Sequence, residues 1–262
     1  MQQEQWDAVI VSRWIEALNI GFPTNCQLFW THDLPNVFPG SLRCDKIVCL
    51  SEFHASYWQS DPGSLRIIGD GVDLSLFQGT ETVRNENVLV WTSNPDRGMA
   101  LAAKIFTEHI LTRWPDLELH FYGRASVYGW PPENEGPYLP RPEHMTSVYI
   151  HEPLTKAGLA KMLREAWALF YPTYWPETFC IATLEAQAAG TPVIASPYGA
   201  LNETVQGGVV TYDFVHAINQ LRNKNRWTKL SEAGKEFAAR CDWDTRADEW
   251  LSLIEEVKSG KS

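Results

Sequence analysis

The sequence predicts an α/β protein built from two parallel sheets with helices on their faces. Short apolar runs rich in β-branched residues alternate with segments of helical periodicity along the whole chain. Continuous apolar runs, rather than alternating ones, are typical of strands buried in a parallel sheet. A polar stretch at residues 78–87 interrupts this alternation and predicts a linker between two blocks. Repeated strand–helix alternation in each block predicts parallel sheets covered by helices.

The first block is predicted to contain four strands and one short helix. The strands are Asp7–Ser12, Cys26–His32, Asp45–Ser51 and Ser64–Gly69, and the helix covers residues 52–59. The second block is predicted to contain six strands: Asn87–Ser93, Leu117–Gly123, Ser147–Glu152, Leu169–Thr173, Pro192–Ser196 and Gly208–Tyr212. Helices are predicted at Arg97–Trp114, Lys156–Leu169, Phe179–Ala189, Asp213–Asn223, Lys229–Arg240 and Thr245–Lys258. The proline-rich segment between residues 124 and 147 is predicted to be a long irregular loop.

Composition and charge narrow the function classes. The chain has 262 residues, of which 44% are hydrophobic and 21% charged, so a mainly disordered chain is excluded. Its net charge of −10 argues against a general nucleic-acid binder and against a protein held on anionic lipid. The five cysteines have no CxxC spacing and predict reduced thiols. With no signal-peptide pattern and no long apolar run, these features predict a cytoplasmic protein.

The segment 171–205 carries the densest set of chemical features. A strand that ends near Thr173 leads through a short loop into a helix predicted to begin at Phe179. The backbone N–H groups of Phe179, Cys180 and Ile181 would then be the unpaired donors of a helix start, which suits a diphosphate. Glu177 precedes this start, and Glu185 lies about two turns into the helix. Carboxylates accept hydrogen bonds from sugar hydroxyls well, so the pair predicts a site for a nucleotide sugar.

The same segment resembles the donor-site signature of retaining glycosyltransferases with the GT-B fold, especially family 4. The matching features are the Glu-x₇-Glu pair, the run LEAQAAGTPVIAS, and Gly199 followed by Glu203. Other segments match the family in the same order: FWTHDLP, DKIVCLSEFHASY, IIGDGVDLSLF, WTSNPDRGMALAAKIF and LHFYGR. The resemblance covers nearly the whole chain. It implies two Rossmann-like domains facing a cleft, at residues 1–77 and 78–240, with a C-terminal helix at 241–262 crossing back toward the first.

The resemblance also implies roles for individual residues. Glu177 would contact the donor sugar, Glu185 would hold the ribose hydroxyls, and His32 would line the acceptor side, so His32 and Glu177 are the predicted catalytic residues. The base would lie near residues 151–154. The predicted donor-binding residues are Arg97, Arg124, Leu154, Thr178, Phe179, Cys180, Ile181 and Glu185. Family members mostly use no metal, so the nucleotide-diphosphate sugar is expected as co-substrate with no further cofactor.

Three departures from the family pattern accompany these matches, one of which is that the glycine pair common before Glu203 is Gly199-Ala200 here. The family usually places an Arg and a Lys in the first turn of the donor domain; Arg97 fills one role, while the other position falls near Thr92–Ser93, and Arg124 is the predicted substitute. About 75 residues precede the hinge, against ~100–150 for a typical domain. We therefore expect an abbreviated first domain with a sheet edge near residues 7–12 that is exposed or covered by a homo-oligomer or another partner.

The function predicted from sequence is transfer of a hexose from a UDP- or GDP-sugar to a hydroxyl acceptor, with retention. The acceptor, a glycan, lipid-linked sugar or small molecule, stays open. The first 74 residues carry an excess of acidic over basic residues, which favours a soluble acceptor or one presented by a partner. The alternatives are a non-catalytic nucleotide-sugar-binding module or partner-dependent subunit, and an oxidoreductase on a similar fold. No Walker A, HExxH or GxSxG motif is present.

Overall fold

The computed structural model describes residues 5–35, 42–58, 62–79, 83–124, 126, 129 and 131–260. These residues divide into two compact units. The first comprises Met1–Gly71 with Cys241–Ser262, and the second comprises Val72–Arg240.

The first unit contains a parallel sheet with the strand order β1-β2-β3-β4. The strands are β1 Val9–Ser12, β2 Gln27–Trp30, β3 Lys46–Cys49 and β4 Leu65–Ile67. The helices are α1 Glu52–Ser56 and α9 Trp243–Lys258, with single 3-10 turns at Ile15–Asn19 and Pro62–Ser64. The four strands that the described residues form lie where the sequence predicts them, and β1 occupies one edge of the sheet.

Successive strand residues of the first sheet point to opposite faces and therefore build two small cores. Phe29 and Ile47 pack on one face with Trp58, which meets the ring of Phe29 edge to face at 5.7 Å. Leu28 and Val48 pack on the other face against α9. The last helix of the chain is thus part of the first unit.

The second unit contains a six-stranded parallel sheet with the order β10-β9-β8-β5-β6-β7. Its strands are β5 Asn85–Trp91, β6 Glu118–Phe121, β7 Val148–Ile150, β8 Ala166–Tyr171, β9 Val193–Ala195 and β10 Gly208–Val210. Its helices are α2 Leu74–Phe77, α3 Met99–Ile105, α4 Lys156–Glu165, α5 Ile181–Ala188, α6 Leu201–Thr204, α7 Phe214–Leu221 and α8 Lys224–Ala239. A π turn, Phe106–Ile110, extends α3, and 3-10 turns lie at Pro95–Arg97, Pro132–Asn134, Gly136–Tyr138 and Pro142–His144.

Several element boundaries differ from the sequence predictions, and two of the differences have clear causes. The helix α4 ends at Glu165, not at 169, because residues 166–171 form the fully buried central strand β8 between β5 and β9. Pairing on both sides outweighs the helical propensity of that Ala- and Leu-containing segment. The helix α8 begins at Lys224, five residues early, because the Asn223 side chain caps its first turn.

The linker region also differs from the prediction. Residues 80–82 lie outside the described part, but β5 already begins at Asn85, within the stretch predicted to be a linker. The helix α2 groups with the second unit rather than the first, since the Arg164 guanidinium donates to the carbonyls of Leu76 and Phe77. The unit boundary therefore follows Gly71, not residue 77.

Arg84 lies just before β5 and joins several segments of the second unit. Its guanidinium donates to the carbonyls of Leu163, Ala166, Ala189 and Gly190 and to the Thr191 hydroxyl, at 2.7–3.2 Å. It also lies 5.0 Å from the ring centre of Trp227. Burial lowers the pKa of Arg84 to about 10 but leaves it charged at neutral pH. The ends of α4 and α5 are fixed by this one side chain.

Among the described residues, no helix combines the length and the apolar character that crossing a membrane requires.

Candidate functional site

The candidate site lies at the carboxyl ends of β5, β8 and β9. The strand order of the second sheet reverses between β5 and β8, and parallel α/β sheets bind ligands at such a switch point. Three loops meet there: residues 92–98 after β5, residues 172–180 after β8, and residues 196–200 after β9. The sequence prediction placed candidate residues in all three of these loops, with Arg97 in the first.

Glu177 lies in the loop after β8 and is 9% exposed. Its Oε1 accepts a hydrogen bond of 2.8 Å from the Tyr171 hydroxyl, which also lies 3.2 Å from Ser93 Oγ. Burial raises the pKa of Glu177, while Arg97 and the Tyr171 hydrogen bond oppose this rise. The carboxyl group is therefore placed by β8 and partly desolvated, as a residue that contacts a ligand would be.

The backbone of Glu177 is fixed by the loop after β9. Its carbonyl accepts a 2.7 Å hydrogen bond from the N–H of Ala200. The preceding Gly199 has a φ of +63°, and a Cβ there would come within 2.4 Å of the Glu177 carbonyl oxygen. Only glycine allows both this conformation and this approach. The glycine that the sequence analysis singled out thus has a structural reason: it permits the loop to support Glu177.

Arg97 occupies the loop after β5. Its guanidinium lies 4.0 Å from the ring centre of Trp175, and its Nε is 3.4 Å from an Asp96 oxygen. The Thr173 hydroxyl donates a 2.5 Å hydrogen bond to its carbonyl, which joins the loops after β5 and β8. The positive charge of Arg97 acts on Glu177 and lowers its pKa. Because the Arg97 side chain is partly exposed, it is also accessible to an anion. The structure places Arg97 close enough for its charge to act on Glu177, and the roles of both toward a donor stay predictions.

Glu185 lies on α5 and is 6% exposed. Burial raises its pKa, and an ion pair with Lys156, at the start of α4, lowers it. The Lys156 side chain is 64% exposed, so the ion pair joins a buried carboxyl group to an ammonium group at the surface. Lys156 was not among the predicted site residues. The feature of the sequence that could have indicated it is its position at the start of a helix that follows β7.

The start of α5 differs from the prediction. The helix begins at Ile181, not Phe179, and Cys180 is its N-cap with a left-handed φ of 79°. The N–H donors at the helix start are therefore those of Cys180, Ile181 and Ala182, and the Phe179 N–H is not one of them. Phe179 is instead buried, and its carbonyl accepts from the Thr204 hydroxyl at 2.9 Å. Burial raises the pKa of the Cys180 thiol, which stays protonated.

The remaining predicted donor residues have less direct placements. Arg124 Nε forms a 3.0 Å ion pair with the deeply buried Glu135, so this guanidinium anchors the long loop after β6. Leu154 lies in the loop after β7 and is 41% exposed. Thr178 lies between Glu177 and the N-cap of α5. Arg124 as a diphosphate ligand stays a prediction, and its ion pair counts against it.

Near the predicted base position, four rings that were not predicted from the sequence form a layer. His151 Nε2 lies 2.9 Å from His120 Nδ1, and Tyr122 stacks on His151 with ring centres 4.5 Å apart. Tyr149 lies 4.8 Å from the ring of His120. The spacing by two on β6 and β7 places all four side chains on one face. This flat aromatic surface lies beside the loop that carries Leu154.

His32 belongs to the first unit. It follows β2 by two residues, its Nε2 is 3.2 Å from Ser12 Oγ, and its ring lies 4.4 Å from that of Trp30. Burial and the nearby Arg13 guanidinium lower the pKa of His32 to about 4. The imidazole is therefore neutral near pH 7. His54, by contrast, is fully buried and bonded to the N–H of Leu50, a structural role.

The fold and this site place the chain in the class of α/β proteins that have two parallel sheets and a candidate ligand site at a switch point. The profile described as "Glycosyl transferases group 1" matches residues 86–237, so the chain belongs to this family. The predicted α/β fold with two parallel sheets and the family resemblance are confirmed at this level.

Curated relatives support the same family. A D-inositol 3-phosphate glycosyltransferase of Segniliparus rotundus is 25% identical over 232 residues, covering 79% of this chain and 51% of that protein. The protein of the same description from Mycobacteroides abscessus is 35% identical over 224 residues, covering 75% of this chain and 47% of the relative. The chain thus spans about half the length of these relatives.

Solved structures show the fold. Sucrose-phosphate synthase from Thermosynechococcus elongatus superposes with a TM-score of 0.73 at 20% identity, covering 98% of this chain and 75% of that one. Anabaena HepE, solved in complex with UDP-glucose, superposes with a TM-score of 0.74 at 15% identity, covering 97% of this chain and 79% of that one. The likeness extends over nearly the whole of this chain.

Proposed function

We propose that this protein transfers a hexose from a nucleotide-diphosphate sugar to a hydroxyl acceptor with retention of configuration. The observation that carries the proposal is the pair Glu177 and Glu185, two buried carboxylates on either side of the α5 start at the switch point. Membership of the glycosyltransferase family supports the proposal.

In this proposal the two carboxylates bind the two sugars of the donor. Glu177 accepts hydrogen bonds from hydroxyls of the transferred hexose, and Glu185 accepts from the ribose. The N–H groups of Ile181 and Ala182, with the positive end of the α5 dipole, hold the diphosphate between them. A carboxylate that accepts hydroxyl hydrogen bonds in a buried site forms stronger bonds than one in water.

Arg97 stabilises the departing diphosphate in this scheme. Its guanidinium is held over Trp175 and remains partly exposed, so a phosphate oxygen reaches it without unfolding the loop. A preorganised cation at the point where negative charge develops lowers the barrier of group transfer. The proposal includes no metal, and activity is expected to persist in a chelator such as EDTA.

His32 lines the acceptor side in this proposal. The pKa of about 4 keeps its imidazole neutral at pH 7, so it acts as a hydrogen-bonding group rather than as a cation. The likeness to a protein solved with UDP-glucose puts UDP-sugars first among donors, ahead of GDP-sugars. The relatives' description puts inositol phosphates among the first acceptors to test.

Donor binding is the first test. Isothermal titration with UDP, GDP, ADP and their glucose and mannose derivatives is expected to give saturable binding of at least one nucleotide sugar. Glu185→Gln is expected to weaken binding of the nucleotide itself, because the ribose loses a charged acceptor. Glu236→Gln, an exposed residue on α8, is the matched control and is expected to bind as the wild type does. No binding of any nucleotide sugar would overturn the proposal.

Turnover separates the enzyme from a binding module. We expect donor hydrolysis or transfer to fall about 100-fold in Glu177→Gln, the loss typical of one stabilising group in a transition state. A strong fall is also expected in His32→Ala. The alternative is a non-catalytic nucleotide-sugar-binding module or partner-dependent subunit, and the Arg124–Glu135 ion pair favours it because it commits a cation elsewhere. Binding without turnover across an acceptor panel would support that alternative.

A further inference from the structure

The Tyr171 hydroxyl is the direct hydrogen-bond partner of the proposed sugar-binding carboxylate. Tyr171 ends β8, is fully buried, and stacks on the ring of Trp91 at 5.7 Å with an interplanar angle of 17°. Strand pairing and this stack fix the direction of the phenol O–H. It donates to Glu177 Oε1 at 2.8 Å. A rigid, buried donor is therefore aimed at one particular oxygen of Glu177.

The second contact of this hydroxyl is Ser93, in the loop after β5. Tyr171 Oη and Ser93 Oγ are 3.2 Å apart, so hydroxyl groups link the loops after β5 and β8 through Glu177. The position near Thr92–Ser93 is where the family resemblance led us to expect a second cation. In this chain a neutral serine occupies it and reaches Glu177 through the tyrosine hydroxyl.

The titratable and charged groups around Glu177 come from three elements. Arg97 and Asp96 face it from the loop after β5, Tyr171 from β8, and the Cys180 thiol from the cap of α5. Burial raises the pKa of Tyr171 well above its usual value, and Cys180 also stays protonated. Tyr171 is thus a permanent donor, and Arg97 is the cation that acts on Glu177.

We propose that Tyr171 is a positioning residue that holds Glu177 Oε1 and so presents Oε2 to the transferred sugar. This inference rests on the proposed function, because it takes Glu177 as the sugar ligand. It predicts that the loss of the Tyr171 hydroxyl affects the sugar part of the donor and not the nucleotide part. In the proposed function the ribose and diphosphate are held by Glu185 and by backbone N–H groups of the α5 start, whereas Tyr171 meets that start through the side chain of Cys180.

The test compares Tyr171→Phe with Tyr212→Phe. The first removes only the buried hydroxyl and keeps the ring on Trp91; the second removes a hydroxyl from a side chain that is 66% exposed in the same unit. Titrations of the wild type and both variants use UDP-glucose and UDP, or the nucleotide and nucleotide sugar that the donor screen identifies. Unfolding in urea confirms that Tyr171→Phe is folded under the assay conditions.

We expect Tyr171→Phe to weaken nucleotide-sugar binding about 10- to 100-fold, the range for a lost hydrogen bond to a charged group, while nucleotide binding changes less than about twofold. The acid limb of the turnover profile is expected to move to higher pH, because a lost hydrogen bond to the carboxylate raises the pKa of Glu177. Equal losses for nucleotide and nucleotide sugar, or a Tyr171→Phe variant that matches Tyr212→Phe, would overturn the inference. Those results leave the proposed function standing if Glu177→Gln weakens nucleotide-sugar binding; failure of the wild type to bind nucleotide sugars overturns both.

Discussion

Gly199→Ala is the most direct test of how the site is built. The glycine has a φ of +63°, and a Cβ there would lie 2.4 Å from the carbonyl oxygen and 2.5 Å from the nitrogen of Glu177. These are backbone atoms, so no flexible side chain can move aside to make room. The carbonyl is also held by the N–H of Ala200 at 2.7 Å. The substitution must therefore displace the Glu177 loop or the loop after β9.

Two terms set the size of the effect. A left-handed conformation costs a non-glycine residue about 1 kcal/mol or somewhat more. Overpacking against a fixed neighbour adds about 1–3 kcal/mol. We therefore expect Gly199→Ala to reduce the free energy of unfolding by about 3 kcal/mol, which corresponds to a fall in Tm of roughly 6–12 °C for a unit of this size.

Gly129→Ala is the matched control. Gly129 lies in the same unit and has a φ of +74°, but a Cβ there meets nothing within 4 Å. Gly129→Ala therefore has the cost of the left-handed conformation but not that of a close contact, so the free energy of unfolding is expected to fall by about 1 kcal/mol. Urea unfolding followed by tryptophan fluorescence measures both variants. Titration with the nucleotide sugar measures whether Glu177 has moved, and weaker binding is expected only for Gly199→Ala.

Equal destabilisation of the two variants would refute the reasoning, because the contact with Glu177 would then contribute nothing. A Gly199→Ala variant that is strongly destabilised but binds the nucleotide sugar normally would refute the link between this glycine and the position of Glu177.

Three further predictions follow from the same contacts. Arg84→Met is expected to lower the free energy of unfolding by at least about 3 kcal/mol in urea, because several buried acceptors lose a charged donor; a loss below about 1 kcal/mol would contradict this. Lys156→Met raises the pKa of Glu185, so nucleotide binding is expected to weaken as the pH falls from 8 to 6, while Lys161→Met behaves as the wild type. His32 has a folded pKa of about 4, below its unfolded value, so protonation favours the unfolded state: stability is expected to fall as the pH drops from about 6.5 to 4, and to fall less steeply in His32→Asn.

The fold was largely predictable because its signals are local. Buried parallel strands need continuous apolar runs, and the ten predicted strands all correspond to observed ones. The boundaries that failed have tertiary causes. Residues 166–168 have a helical pattern, yet they form β8 because β5 and β9 pair with them on both sides. The first residues of α8 depend on the Asn223 cap, a signal that the sequence contains but that the hydrophobic pattern does not show.

The candidate site residues named from the sequence are those that a motif contains. Glu177 and Glu185 were predicted from their positions before and within a helix, and Arg97 from the family resemblance; the structure places the charge of Arg97 close enough to act on Glu177. Tyr171 was not predicted, because a tyrosine at the end of a central strand is expected to be a core residue. Only the structure shows that its hydroxyl donates a hydrogen bond to Glu177.

The sequence by itself determined the order of the elements, the family and the residue types at the switch point, because periodicity and motif spacing are properties of the chain. Only the tertiary structure decided which partners these residues have. Lys156 pairs with Glu185, Arg124 with Glu135, and Tyr171 with Glu177. Lys156 and Glu185 come from two helices, whereas Arg124 and Glu135 share the loop after β6, and Tyr171 and Glu177 lie on β8 and the loop that follows it. In the parallel sheet it is the strand order, rather than sequence separation, that brings the loops after β5, β8 and β9 to one edge.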